Sequence, residues 1–133
     1  MMKIGEERNP EDILKEEFLQ ERAAVLGRAG EKVSIALENL GEIEKSIEEK
    51  LVLFNQIIAR CQTECDEGTV RSLIRLRARD INVEIGRYNR AREYAKLRYY
   101  YLVVTREAMG MNRHHWIEDA YRIPPRKQYV RYE

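Results

Sequence analysis

Apolar and small residues recur along this chain in steps of three and four. From Thr69 to Met111 they fall at Val70, Ile74, Ala78, Ile81, Ile85, Tyr88, Ala91, Ala95, Tyr99, Leu102 and, one heptad on, Met109. That spacing predicts one long helix burying a single stripe. Arg106 divides the last heptad, and its stem is expected to pack while its head reaches solvent. No proline interrupts the run, and Gly86 is its one weak helix former. A rod of this length, about 60 Å at 1.5 Å per residue, needs a partner of similar length.

The first half supplies one. Asn9-Pro10-Glu11-Asp12 reads as a helix start, with Asn9 as N-cap, Pro10 in the first turn and acids beside it. Apolar positions follow at Ile13, Leu14, Phe18, Val25 and Leu26, and Gly27-Arg28-Ala29-Gly30 is expected to kink or break the helix. The stripe resumes through Val33, Leu37, Leu40, Ile43, Ile47, Leu51, Phe54, Ile58, Cys61 and Cys65. Asp66-Glu67-Gly68-Thr69 is the turn, with Gly68 as a left-handed cap and Thr69 as N-cap of the next helix.

With the turn centred near Glu67 and Gly68, facing residues should have numbers summing to about 135. That sets Phe54 against Ile81, Ile47 against Tyr88, Leu40 against Ala95 and Val33 against Leu102. Every member already lies on its own stripe, so the expected fold is an all-α antiparallel hairpin. The expected helices cover residues 10–26, 30–65, 69–110 and 113–122. Residues 10–24 overhang the hairpin. Gly110 ends the long helix and Asn112 caps the next, which presents Trp116, Ile117, Ala120 and Tyr121 and is expected on the overhang. Pro124-Pro125 stops that helix, and the tail 124–133 shows no pattern.

Two helices cover only one face of each other. Val52, Leu53 and Ile57 lie off the seam on the first helix, and Leu73, Leu76, Tyr94, Leu97 and Tyr101 on the second. The expectation is a second copy against this face, giving a homodimeric four-helix bundle, with a fold-back of residues 10–24 as the rival. Tyrosine suits such a surface because it buries a ring and keeps a wet hydroxyl, and Tyr99 and Tyr100 extend the set.

Charge adds a constraint. The net charge of +1 over 133 residues conceals a segregation. Residues 1–67 carry 9 Lys+Arg against 16 Asp+Glu, residues 68–113 carry 11 against 4, and residues 114–133 carry 4 against 3. An acidic half followed by a basic half implies that the two lie together, arginine against glutamate, which selects partners more than it adds stability. The opening MMKIGEERNPED has no apolar core, so a cytoplasmic protein without signal peptide or membrane span is expected, with its two cysteines reduced.

Chemistry is sparse. Cys61 and Cys65 share a helix face and could hold half a metal site, but small buried apolar roles suit them better. His114 and His115 stand four residues before Glu118 and Asp119, a spacing that orients imidazoles but also arises on any polar helix. No nucleotide loop, zinc-protease or nucleophile-elbow motif is present. No cofactor and no enzyme activity are expected. Arg87, Arg90, Arg92 and Arg98, with Arg126 and Lys127 of the tail, suggest a nucleic-acid face with tyrosines to stack bases. The acidic half and a pI of 7.8 argue against it. The leading expectation is an adaptor, assembly or chaperone-like protein that takes a helix on its Tyr94, Leu97, Tyr101, Leu73 and Leu76 face. The alternative is a nucleic-acid-binding accessory protein.

Overall fold

The computed structural model describes residues 9–64 and 66–131. Among them are three helices and no strand: α1 (Pro10–Glu64), α2 (Glu67–Ala108) and α3 (His115–Ala120). No helix of the described residues is long and apolar enough to cross a membrane.

The expected hairpin is present, with α1 and α2 packed along their length. The seam forms two clusters. Leu40, Ile43, Ile47, Ile81, Ile85, Tyr88 and Ala95 make the larger one. Val33, Leu102 and Ile117 make the second. Both follow the register in which paired numbers sum to about 135. Cys65 and its pairing with Val70 lie outside the described residues.

α1 does not break at Gly27–Gly30. It is one helix of 55 residues. Two glycines lower the local helix preference by about 1 kcal/mol each, which a continuous helix with a packed seam overrides. Gly30 is a packing slot: a Cβ there would lie 3.0 Å from the Tyr121 hydroxyl. At the turn, Asp66 rather than Thr69 is the N-cap of α2. Its carboxylate accepts from the Thr69 amide at 2.7 Å. Gly68 is helical, within the first turn of α2. The one residue with positive φ among those described is Gly110, at 82°, where the chain leaves α2. α3 starts after His114, not Asn112, and holds only six residues.

α3 does not lie on the overhang. The Gly110 turn returns the chain along the hairpin, so Ile117 joins Val33 and Leu102, with Leu26, Ala29 and Tyr121 at the edge. The overhang keeps Ile13, Leu14, Phe18 and Leu19 exposed, and it runs straight on rather than folding back.

Residues 122–131 are not irregular filler. They run back antiparallel to α2, and Ile123 and Val130 pack against the larger cluster. This third layer extends the burial, although Cys61, beyond its reach, is buried too. Fully buried apolar residues of α2 extend from Leu102 down to Ala78, near where Val130 meets Asn82. Towards the turn, Leu51, Phe54, Ile58, Val70 and Ile74 are only half-buried. Two helices alone leave flanks open, and a third segment is required to close them.

The described ion pairs do not express the charge segregation as arginine–glutamate pairs across the seam. Among the described ion pairs, those between the long helices run from Lys50 of acidic α1 to Asp80 and Glu84 of basic α2. Arg87 pairs with Glu84 and Arg92 with Glu93, both within α2.

Candidate functional site

The C-terminal segment is held by a repeated device. Asn89 donates through Nδ2 to the carbonyl of Lys127 at 3.0 Å, and its Oδ1 accepts from the Lys127 amide at 2.9 Å. Asn82 does the same to Val130, at 3.0 and 2.7 Å. Each side-chain amide therefore reads a backbone as a neighbouring strand would. The spacing is dictated by geometry: seven helical residues rise about 10.5 Å, and three extended residues span roughly 10 Å. Arg92 Nε donates to the Pro124 carbonyl at 2.9 Å. Pro125 has no amide to satisfy, and Pro124 and Pro125 keep the segment extended.

Side chains complete the clamp. Lys127 Nζ lies 4.9 Å from the Tyr88 ring centroid and 3.2 Å from Glu44 of α1. Tyr88 is 2 % exposed, and burial, followed by the nearby Glu44 carboxylate, pushes its hydroxyl above the usual tyrosine range. The ring of Tyr129 lies over Gly86, where an added Cβ would touch its hydroxyl at 3.5 Å. Sequence reading missed this site. Its signal was a pair of asparagines at i and i+7 beside an apolar stripe, Asn82 and Asn89, which a buried helix face ordinarily excludes.

The clamp decides the fate of the basic residues. Lys127 and Arg92 are engaged within the chain, and Arg87 is paired with Glu84. Arg98 stacks on Tyr94 and Tyr101, at 5.1 and 6.0 Å. Arg90 and Arg126 are exposed. The six candidate nucleic-acid contacts therefore do not form one free stripe.

The histidines separate too. His114 Nε2 lies 3.1 Å from Glu107 and its Nδ1 3.3 Å from Arg106 Nε, so its carboxylate neighbour is Glu107 rather than Glu118. Arg106 is not the snorkelling residue its position suggests. It is 8 % exposed, donates to the Arg113 carbonyl at 2.8 Å and stacks on Trp116 at 5.0 Å. These contacts pin the α2–α3 turn. His115 is exposed and Cys61 is buried on the seam. Among the described residues no group of three or more His, Cys, Asp or Glu is placed to hold a metal.

Of the expected partner face, Leu76, Tyr94, Leu97 and Tyr101 are exposed and Leu73 is half-buried. Val83 and Val104 extend the exposed set along α2. At its C-terminal end this face borders a groove of about 320 Å³ lined by Val25, Arg28, Ala29 and Lys32 of α1 and Arg98, Tyr101 and Thr105 of α2. α3 stands over the Leu26–Gly30 flank of the same stretch, and a cavity of about 480 Å³ lies between them, lined by Leu26, Gly30, Leu102, Trp116, Ile117 and Tyr121.

No family model, no curated protein and no solved structure matches this chain.

Proposed function

We propose that this is a non-enzymatic, cytoplasmic helical interaction protein, an adaptor or assembly factor whose α2 surface receives a helix from another protein. The observation that carries the reading is the exposed series Leu76, Val83, Tyr94, Leu97, Tyr101 and Val104. Its steps are multiples or combinations of three and four, so it forms one stripe along a rigid rod. Arg87 and Arg90 interrupt it between Val83 and Tyr94, so its continuous apolar part is Tyr94 to Val104, and an exposed apolar run beside arginines is a surface that binds proteins. A helix with its own i, i+3, i+4, i+7 anchors is the ligand that a straight stripe fits. The clamp supports the reading. It holds the tail against a neighbouring flank of α2 and so steadies the helix, which lowers the ordering cost of binding on the exposed face. Cys61, buried as a small apolar residue, suits a reducing compartment.

The test is photo-crosslinking in cells, with a crosslinking amino acid at Val83 or Leu97 of the full chain. The expected result is a discrete protein adduct that disappears when Tyr94→Glu is added. An adduct to nucleic acid instead, with oligonucleotide binding that survives above about 0.2 M salt, would overturn the reading in favour of a nucleic-acid accessory role.

A further inference from the structure

We infer that the groove between residues 25–32 of α1 and residues 98–105 of α2 is filled by the acidic, N-terminal end of α1 from a second copy of this chain, the two copies exchanging these ends about a two-fold axis. The groove shares Tyr101 with the end of the α2 stripe, but the inference does not depend on what binds the stripe.

Three observations converge. First, the groove is cationic. Arg28, Lys32 and Arg98 line it, and no described ion pair gives any of them a carboxylate. Second, the overhang has the opposite character. Residues 10–21 carry five acids, Glu11, Asp12, Glu16, Glu17 and Glu21, against one lysine. On the same twelve residues Leu14 is 65 % and Phe18 59 % exposed. Among the described residues Phe18 meets only the Arg22 guanidinium, 5.5 Å from its ring centroid, so this helical end leaves large apolar surface for a partner.

Third, the two surfaces are one stripe, and its spacing is self-complementary. Glu11, Leu14, Phe18, Glu21, Val25, Arg28 and Lys32 advance by three and four in strict alternation, so the overhang presents to a neighbour the same face that lines the groove. Groove residues Val25, Ala29 and Lys32 are spaced by four and three. Phe18, Leu14 and Glu11, read backwards, are spaced the same way. Laid antiparallel, Phe18 of one copy meets Val25 of the other, Leu14 meets Ala29, and Glu11 meets Lys32. Large residues face small ones, and the acid meets the base at the edge. A two-fold axis between Glu21 and Arg22 makes both exchanges at once, which is the isologous closure expected of a dimer. The overhang, about 18 Å long, covers the groove, Tyr101 included, and leaves the part of the stripe from Leu76 to Leu97 open. α3 stands on the other flank, through Ile117 and Tyr121, so the exchanged end supplies a wall on this one.

The test uses the full chain. Light scattering with sedimentation should give a dimer that weakens as salt rises. Phe18→Glu, at an exposed position, should leave helicity unchanged and raise the dissociation constant about 100-fold or more. Glu11→Lys or Lys32→Glu alone should weaken association several-fold, and the two together in one chain should restore it. Chains carrying Phe18→Cys and Val25→Cys should form a disulfide-linked pair under mild oxidation when mixed, beyond whatever wild type gives. A monomer at all concentrations overturns the proposal. So does a dimer that ignores Phe18→Glu and forms no 18–25 link, since that dimer must use another face. Either result leaves the crosslinking test of the α2 stripe standing.

Discussion

Replacing Asn89 with alanine removes both hydrogen bonds to the Lys127 backbone while leaving the apolar neighbours in place. Asn89 is 4 % exposed, so water does not freely replace the amide. Two bonds at a net value near 1 kcal/mol each give a loss of about 2 kcal/mol. If the Lys127 N–H and C=O stay buried and unpaired, each adds a desolvation penalty, and the loss rises towards about 4 kcal/mol. The chain has a way out: the tail can peel away from α2, which limits the cost to the docking energy of residues 123–130. Asn82→Ala and Asn89→Ala should therefore each destabilise, and the double variant should cost less than their sum. Urea unfolding read by circular dichroism measures the energies, and amide exchange at Lys127 and Val130 reports the tail directly. Asn89→Ala should speed exchange at Lys127 by roughly the factor that ~2 kcal/mol implies, about 30-fold. A loss under about 0.5 kcal/mol with Lys127 exchange unchanged would refute the claim that the amide clamp holds the tail.

Other consequences follow from single contacts. The Tyr88 hydroxyl has its pKa raised by burial first and Glu44 second, and that of Tyr99 by burial and then Glu118. Between the unfolded value and the higher folded one, the native state holds more protons than the unfolded state. Stability is thus intact below about pH 10 and declines as pH rises through the folded values, and Tyr88→Phe should flatten part of that alkaline slope in urea titrations. The Asp66 pKa is lowered by its bond to Thr69. Its contribution is present above pH 4 or so and is lost as pH falls through the folded value. Asp66→Ala should speed exchange of the first α2 amides and weaken the acid dependence of that exchange. Gly30→Ala asks only a small shift of the Tyr121 hydroxyl and gains helix preference, so it should stay within about 1 kcal/mol of wild type. Gly30→Leu should displace Tyr121, undock α3 and change the emission of Trp116, the only tryptophan; unchanged emission would show that α3 does not depend on the slot.

The hairpin and its register were determined by the sequence. Stripes spaced by three and four on two helices joined by a very short turn can be buried together in one antiparallel register, and the Val33–Leu102 and Ile47–Tyr88 layers follow from it. Element ends were less legible, because Asp66 and Thr69, or Asn112 and His114, offer competing caps that local composition does not rank. The continuity of α1 through Gly30 was decided by its packing along the hairpin, and the close fit at Gly30 by Tyr121, ninety-one residues away in the chain. The tail was decided in the same way. Nothing in Pro124–Arg131 is periodic, because an extended segment that is paired through its own backbone needs no side-chain pattern. What it needs is two asparagines on another element whose helical rise matches its extended rise. The spacing of Asn82 and Asn89 is set by α2 alone, but that residues 124–131 are what they hold is decided only when the Gly110 turn brings the tail back along α2. Local sequence fixes periodicity, which follows from the geometry of one helix. Contacts between segments far apart in the chain depend on the packed arrangement, and there the clamp, the Arg106 pin and the cationic groove arise.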